Sequence, residues 1–193
     1  LYFPGYGNPE LRPEKGRNFE FSVSGRAGAG RWAVNAYETR IDNLIAYDAT
    51  AGAPANIARA RIRGVEAVYA VRLGGFDIRA TATLLDPLSD GGRYAGNVLP
   101  RRARRSGRLD IDRAFGDVSV GATLFAAGRR FDNLSNTTVM GGYATVDLRL
   151  VWRLHDHWRL QARVENLFNH TYETAATYNQ PGRSVYLGVG WQL

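Results

Sequence analysis

Apolar and polar residues alternate with period two along almost the whole of this chain, and helical periodicity is nearly absent. Between Tyr143 and Leu154, the apolar positions Val146, Leu148, Leu150, Trp152 and Leu154 interleave with Thr145, Asp147, Arg149 and Arg153. Trp158, Leu160, Ala162 and Val164 interleave in the same way with Arg159, Gln161, Arg163 and Glu165. Phe76 to Leu84 and Val185 to Leu193 repeat the pattern. The alternation predicts strands at about 18–27, 31–47, 57–73, 76–89, 101–115, 118–132, 141–155, 158–175 and 184–193. Two of these are irregular. The alternation slips after Glu38, and it changes phase near Gly64, where a β-bulge is expected. Residues 1–17, with Pro4, Pro9 and Pro13, read as a loop.

Connections of two kinds take turns along the chain. Gly28–Gly30, Gly74-Gly75, Gly116-Asp117 and Asp156-His157 are tight turns. Residues 48–56, 90–100, 133–140 and 176–183 are longer and rich in Gly, Pro, Asn and Thr. An antiparallel up-and-down sheet with short turns at one edge and long loops at the other is the pattern of a transmembrane β-barrel, with the long loops extracellular. A soluble sandwich with Greek-key crossovers does not require that regularity.

Composition narrows the reading further. The chain has 193 residues and a net charge of +7, and Lys15 is its only lysine, so arginine carries the rest of the positive charge. Mean hydropathy is −0.31, and no apolar run approaches the roughly 18 residues of a spanning helix. The chain has no cysteine, which excludes disulfide scaffolds, thiolate metal sites and cysteine nucleophiles. Three histidines leave little material for a metal centre, and no metal or cofactor is expected. Glu165-Asn166 has neither a partner acid nor a nucleophile beside it, so no catalytic function is expected. No targeting signal is visible at the start.

Alternation alone does not separate a membrane barrel from a half-exposed soluble sheet; the aromatic residues do. Trp32, Phe76, Phe115, Trp152, Trp158 and Trp191 all fall on the apolar face by parity and lie near the short turns or the chain end. Folding the hairpins lines them up as one belt, as expected at a membrane interface, where an indole satisfies its apolar body and polar N–H together. Nine strands leave two edges unpaired, which lipid does not tolerate, so the residues here are expected to be part of a larger barrel.

Several motifs resemble those of TonB-dependent outer-membrane receptors. Asn8-Pro9-Glu10-Leu11-Arg12-Pro13-Glu14 is similar to their "NPxLxPE" segment, Arg63-Gly64-Val65-Glu66 to "RGxE", and Leu99-Pro100-Arg101-Arg102-Ala103 to "PRR". Glu165-Asn166-Leu167-Phe168-Asn169, Tyr172 and Pro181-Gly182-Arg183 resemble the C-terminal block. The most similar subfamily is the vitamin B12 (cobalamin) transporters, by Asn43 to Tyr47, Asn56 to Glu66 and Tyr172 to Arg183. The resemblance implies the C-terminal part of a barrel of about 22 strands filled by a plug. It also implies a TonB complex as energy source, the barrel assembly machinery as folding partner, and outer-membrane lipid and lipopolysaccharide as surroundings. Tyr186, Val189, Trp191 and Leu193 would form the C-terminal assembly signal, with Leu193 departing from the usual terminal aromatic.

Three functions compete: active import of a large scarce nutrient (cobalamin, or a siderophore or other metal chelate), a passive porin or enzyme-bearing barrel, and a soluble basic β-protein binding polyanions. The run Arg101 to Arg108 suits a polyanion or lipopolysaccharide phosphates, or alternatively a wet lumen faced by Arg102, Arg104 and Arg108. The long loops carry Asn, Gln, Thr, Tyr and Gly with few charges, which suits a large, amide-fringed, mostly neutral ligand such as a corrinoid. Tyr178, Asn179, Gln180 and Arg183 are the candidates for substrate contact.

Overall fold

A computed structural model describes residues 7–48, 52–56, 59–155 and 157–191. Nine antiparallel strands form one sheet: β1 (Lys15–Ala27), β2 (Gly30–Asp42), β3 (Arg59–Leu73), β4 (Phe76–Ser89), β5 (Arg105–Phe115), β6 (Val118–Ala127), β7 (Tyr143–His155), β8 (Trp158–Glu165) and β9 (Ser184–Trp191). Each strand pairs only with its neighbours in the chain, so the sheet is an open up-and-down wall with β1 and β9 at its edges. A single 3-10 turn, Gly92–Tyr94, is the only helical segment among the described residues. The short turns exploit glycine where the backbone is left-handed: Gly74 and Gly75, at φ 58° and 81°, make the β3–β4 hairpin.

Five hydrophobic residues are buried among those described, whereas 26 large hydrophobics are exposed. This inversion defines the architecture. Register places Val23, Val34, Ala67, Ala82 and Gly107 on one face across five strands, and Leu109, Leu124 and Val146 continue that face. The opposite face carries a polar ladder, in which Asp112, Gly121, Arg149 and Arg163 stand side by side on β5 to β8. Arg149 grips Asp112 at 2.5 Å, donates to Thr123 at 2.7 Å, and passes over Gly121, where a Cβ would strike the ion pair.

The phase change near Gly64 is not a bulge. β3 runs in unbroken register over residues 59–70 against β2 and 60–73 against β4, and β2 likewise continues past Glu38. What changes is the surroundings of each face. Beyond this level the formerly apolar face carries Arg63, Arg61, Glu38 and Arg40. The formerly polar face carries Ile62, Ala60 and Ile41, which pack with Leu44, Leu99 and Leu134 beneath the loops. The register shift in the sheet's pairings lies instead between Arg153 and His155.

Several predicted strands are shorter. The 31–47 strand ends at Asp42, because Asn43 turns left-handed (φ 58°), and Ile45–Asp48 pairs with Ala53–Asn56 as a separate ribbon. The 158–175 strand ends at Glu165, before Asn166 (φ 50°). The 101–115 strand starts only at Arg105, after Arg101 (φ 59°), and the 118–132 strand ends at Ala127. Conversely, Lys15 to Arg17 of the expected first loop belong to β1.

Candidate functional site

The long loops are stitched to one another at the edge away from the short turns, and asparagine does most of the stitching, with side chains that supply both a donor and an acceptor. Asn8 donates to the Pro54 carbonyl at 2.9 Å. Asn56 binds both the N–H and the carbonyl of Arg12, at 2.8 and 2.9 Å, as a backbone partner would. The Glu14 carboxylate accepts the Ile45 N–H at 2.6 Å. Asn136 repeats the Asn56 device on Val98, and Asn97 donates to the Leu134 carbonyl, both at 2.8 Å.

The next link is electrostatic. Arg101 donates to Asp132 at 2.8 Å, and the same carboxylate oxygen accepts the Ala176 N–H at 3.1 Å. The Arg101 guanidinium holds the Asp132 carboxyl below the usual carboxylate range; burial opposes this, and the Ala176 N–H assists it. A group with a depressed native pKa stabilises the fold above its ordinary pKa, and the contribution is lost as pH falls through the depressed value. The thermal stability gap between the intact protein and Asp132→Asn is therefore expected to be largest near neutral pH and to close below about pH 4. A gap independent of pH would contradict this link.

Arg130 donates to the Glu173 carbonyl and lies over the Tyr143 ring, 5.1 Å from its centroid. Tyr143 stacks on Tyr172 at 4.1 Å, and burial raises the Tyr172 phenol above its ordinary pKa. Beside this stack, Glu173–Ala175 pairs with Tyr178–Asn179 through a turn in which Thr177 is left-handed (φ 67°). Asn166, almost fully buried, fastens the base of the loop: its side chain donates to the carbonyls of His170 (2.8 Å) and Pro181 (3.3 Å) and accepts the His170 N–H (2.9 Å).

Of the predicted contact residues, Tyr178, Asn179 and Gln180 stand together on this arm. Tyr178 is 67% exposed, and the Gln180 N–H is tied to the Tyr172 carbonyl at 2.9 Å. Arg183 lies at the foot of β9, its N–H held by Asn169 at 2.8 Å. Sequence reasoning missed Asp132, Arg130, Tyr143 and Glu173, because the contacts that join them, Asp132 with Ala176, Arg130 with Glu173 and Tyr143 with Tyr172, link residues far apart in the chain.

At the opposite edge, Trp32, Phe76, Phe115, Trp152, Trp158 and Trp191 share the apolar face by register. Trp158 pairs directly with Trp191. Trp152 pairs with Leu160, which leaves Trp152 and Trp158 diagonal across the turn and both half exposed. Of the expected C-terminal signal, Val189 and Trp191 point with the apolar face, and Tyr186 lies under Arg163 on the other; Leu193 lies outside the described residues.

The model of the TonB dependent receptor-like β-barrel matches residues 1–167. This chain belongs to the TonB-dependent receptor family. A vitamin B12 transporter, BtuB, of Photobacterium profundum is 29% identical over 96% of the chain, which corresponds to 31% of that protein. Among solved structures, the copper transporter OprC superposes with a TM-score of 0.79 at 19% identity, covering 95% of this chain and 32% of OprC. The siderophore receptor PiuA from Acinetobacter baumannii gives 0.74 at 21% identity, covering 93% of this chain and 28% of PiuA. The chain thus spans about a third of the length of the receptors it matches, and the structural likeness carries the fold. The family motifs coincide with fastening points. Asn8 and Glu14 of "NPxLxPE" pin the first ribbon, Arg101 of the "PRR" segment holds Asp132, and Asn166 and Asn169 hold the final loop.

Proposed function

We propose that this chain forms part of the wall and mouth of a TonB-dependent outer-membrane importer of cobalamin. In this reading the apolar face meets lipid, the six aromatic residues of the belt lie at the inner interface, and the stitched loops form the extracellular mouth. The polar ladder faces a plug supplied by another part of the receptor, which couples to the TonB complex. The β9 edge and its Tyr186, Val189, Trp191 and Leu193 engage the barrel assembly machinery.

The observation that carries the substrate is the chemistry of the final arm. Tyr178, Asn179 and Gln180 offer a ring face and amides, while the neighbouring charges of Arg101, Asp132 and Arg130 are already engaged in contacts between the long loops. A large neutral ligand fringed with amides suits that surface, and the 29% identity to a vitamin B12 transporter agrees with it. A metal chelate is the second reading, favoured by the similarity to a siderophore receptor and a copper transporter.

The test is uptake by cells whose only importer is the full-length receptor. Removal of residues 176–183 is expected to abolish cobalamin uptake while leaving the protein in the outer membrane. Unchanged uptake would remove Tyr178, Asn179, Gln180 and Arg183 from the site. An intact receptor that binds a ferric chelate and not cobalamin would replace the substrate.

A further inference from the structure

Val139–Met140 pairs with Arg130–Phe131, and between this ribbon and the arm of residues 173–179 lies a cleft of about 400 Å³. Met140, Gly141, Gly142, His170, Tyr172 and Asn179 are among its lining residues, and the two glycines leave part of the lining without side chains. Sites that enclose a whole small molecule run from about 300 to 1,000 Å³. A corrinoid, a broad macrocycle fringed with amide arms, can therefore enter this cleft only by one projecting part.

Three observations say which part. Tyr143 covers one face of Tyr172 at 4.1 Å, whereas His170, nearly parallel at 12°, stands 6.4 Å away and is too distant to close over the other. A flat ring can stack there. Every other asparagine of the long loops is hydrogen-bonded through its side chain. The Asn179 amide, the Tyr172 hydroxyl and the His170 ring make no hydrogen bond among the described residues, so the cleft holds uncommitted donors and acceptors beside its open ring face. The only acidic or basic side chain lining it is Glu173, which accepts the Thr177 N–H at 3.2 Å. The cleft thus offers no cation to the anionic oxygens of a catecholate. What fits is a neutral, flat, nitrogen-bearing ring.

We propose that this cleft holds the benzimidazole base of the cobalamin nucleotide tail, stacked on Tyr172 and contacted by Asn179. The inference rests on the cobalamin reading above, and it makes Tyr172 the residue that distinguishes complete cobalamin from corrinoids lacking the base. The base is the one flat aromatic part of that ligand, because the corrin itself is ruffled and carries methyl groups and amide arms on both faces.

The experiment measures equilibrium binding of cyanocobalamin, and of cobinamide, the same corrin without the nucleotide, to the full-length receptor in detergent. The parent is expected to bind cobalamin roughly tenfold to a hundredfold more tightly than cobinamide. Tyr172→Ala is expected to bring the two affinities together, and Tyr172→Phe to keep them apart, because the ring face carries the preference. Asn179→Ala is expected to narrow the gap as well. It removes no hydrogen bond within the described protein, and it serves if loss of the Tyr143 stack unfolds the Tyr172→Ala arm. The parent's preference retained in Tyr172→Ala or in Asn179→Ala overturns the proposal. A parent that binds neither corrinoid overturns the cobalamin reading itself, whereas one that binds both equally overturns this inference alone.

Discussion

Arginine in place of Leu148 or Leu160 is expected to destabilise the folded receptor in a bilayer by about 2–4 kcal/mol if the position lies near the midplane. Both residues stand on the apolar face, Leu148 opposite Ala122 and Val164, and Leu160 opposite Trp152 and Val189. A charge there must be taken out of water with no partner to receive it. Arg163→Gln, one position from Val164 but on the ladder face, is expected to cost less than about 1 kcal/mol, because its Glu165 pair is exposed. Reversible unfolding in lipid vesicles measures both. Equal costs would mean that the apolar face meets no lipid, and the assignment of inside and outside would fail with it.

Asn166→Ala is expected to have the second largest effect. The side chain satisfies three backbone groups of the last loop, and the residue is left-handed at φ 50°. Each buried backbone group left unpaired costs about 1–3 kcal/mol, and alanine tolerates the left-handed conformation poorly. Asn166→Gly separates the two effects, since glycine relieves the backbone and restores no hydrogen bond. A lowered melting temperature for alanine, with only partial recovery for glycine and faster proteolysis between residues 167 and 182, is the expected outcome. Full recovery by glycine would assign the role to conformation alone.

The nine-strand wall was legible because a strand with one apolar and one polar face writes the two into alternate residues. Strand ends were less legible, for the same reason. Asn43 and Asn166 stop their strands by turning left-handed, a backbone event that leaves no trace in alternation. Asparagine's tolerance of that conformation was a signal available in the sequence. The apparent slip at Gly64 misled because the two faces exchange polarity there without any change of register. The candidate site was legible only as single loops. Asn136 with Val98, and Asp132 with Arg101 and Ala176, join residues more than thirty apart, and no local pattern announces such a match.

The strictly sequential strand order has a consequence for how such a wall can change over evolutionary time. Each strand touches only its chain neighbours, so a hairpin plus one long connection is a self-contained unit. Duplicating or deleting that unit leaves every other pairing intact and keeps each remaining strand's direction, because two strands restore the original sense. A change of one strand instead inverts everything downstream, exchanging the edges on which turns and loops emerge. Lineages built this way are expected to vary in circumference by steps of two, each step widening the enclosed space by a nearly constant increment.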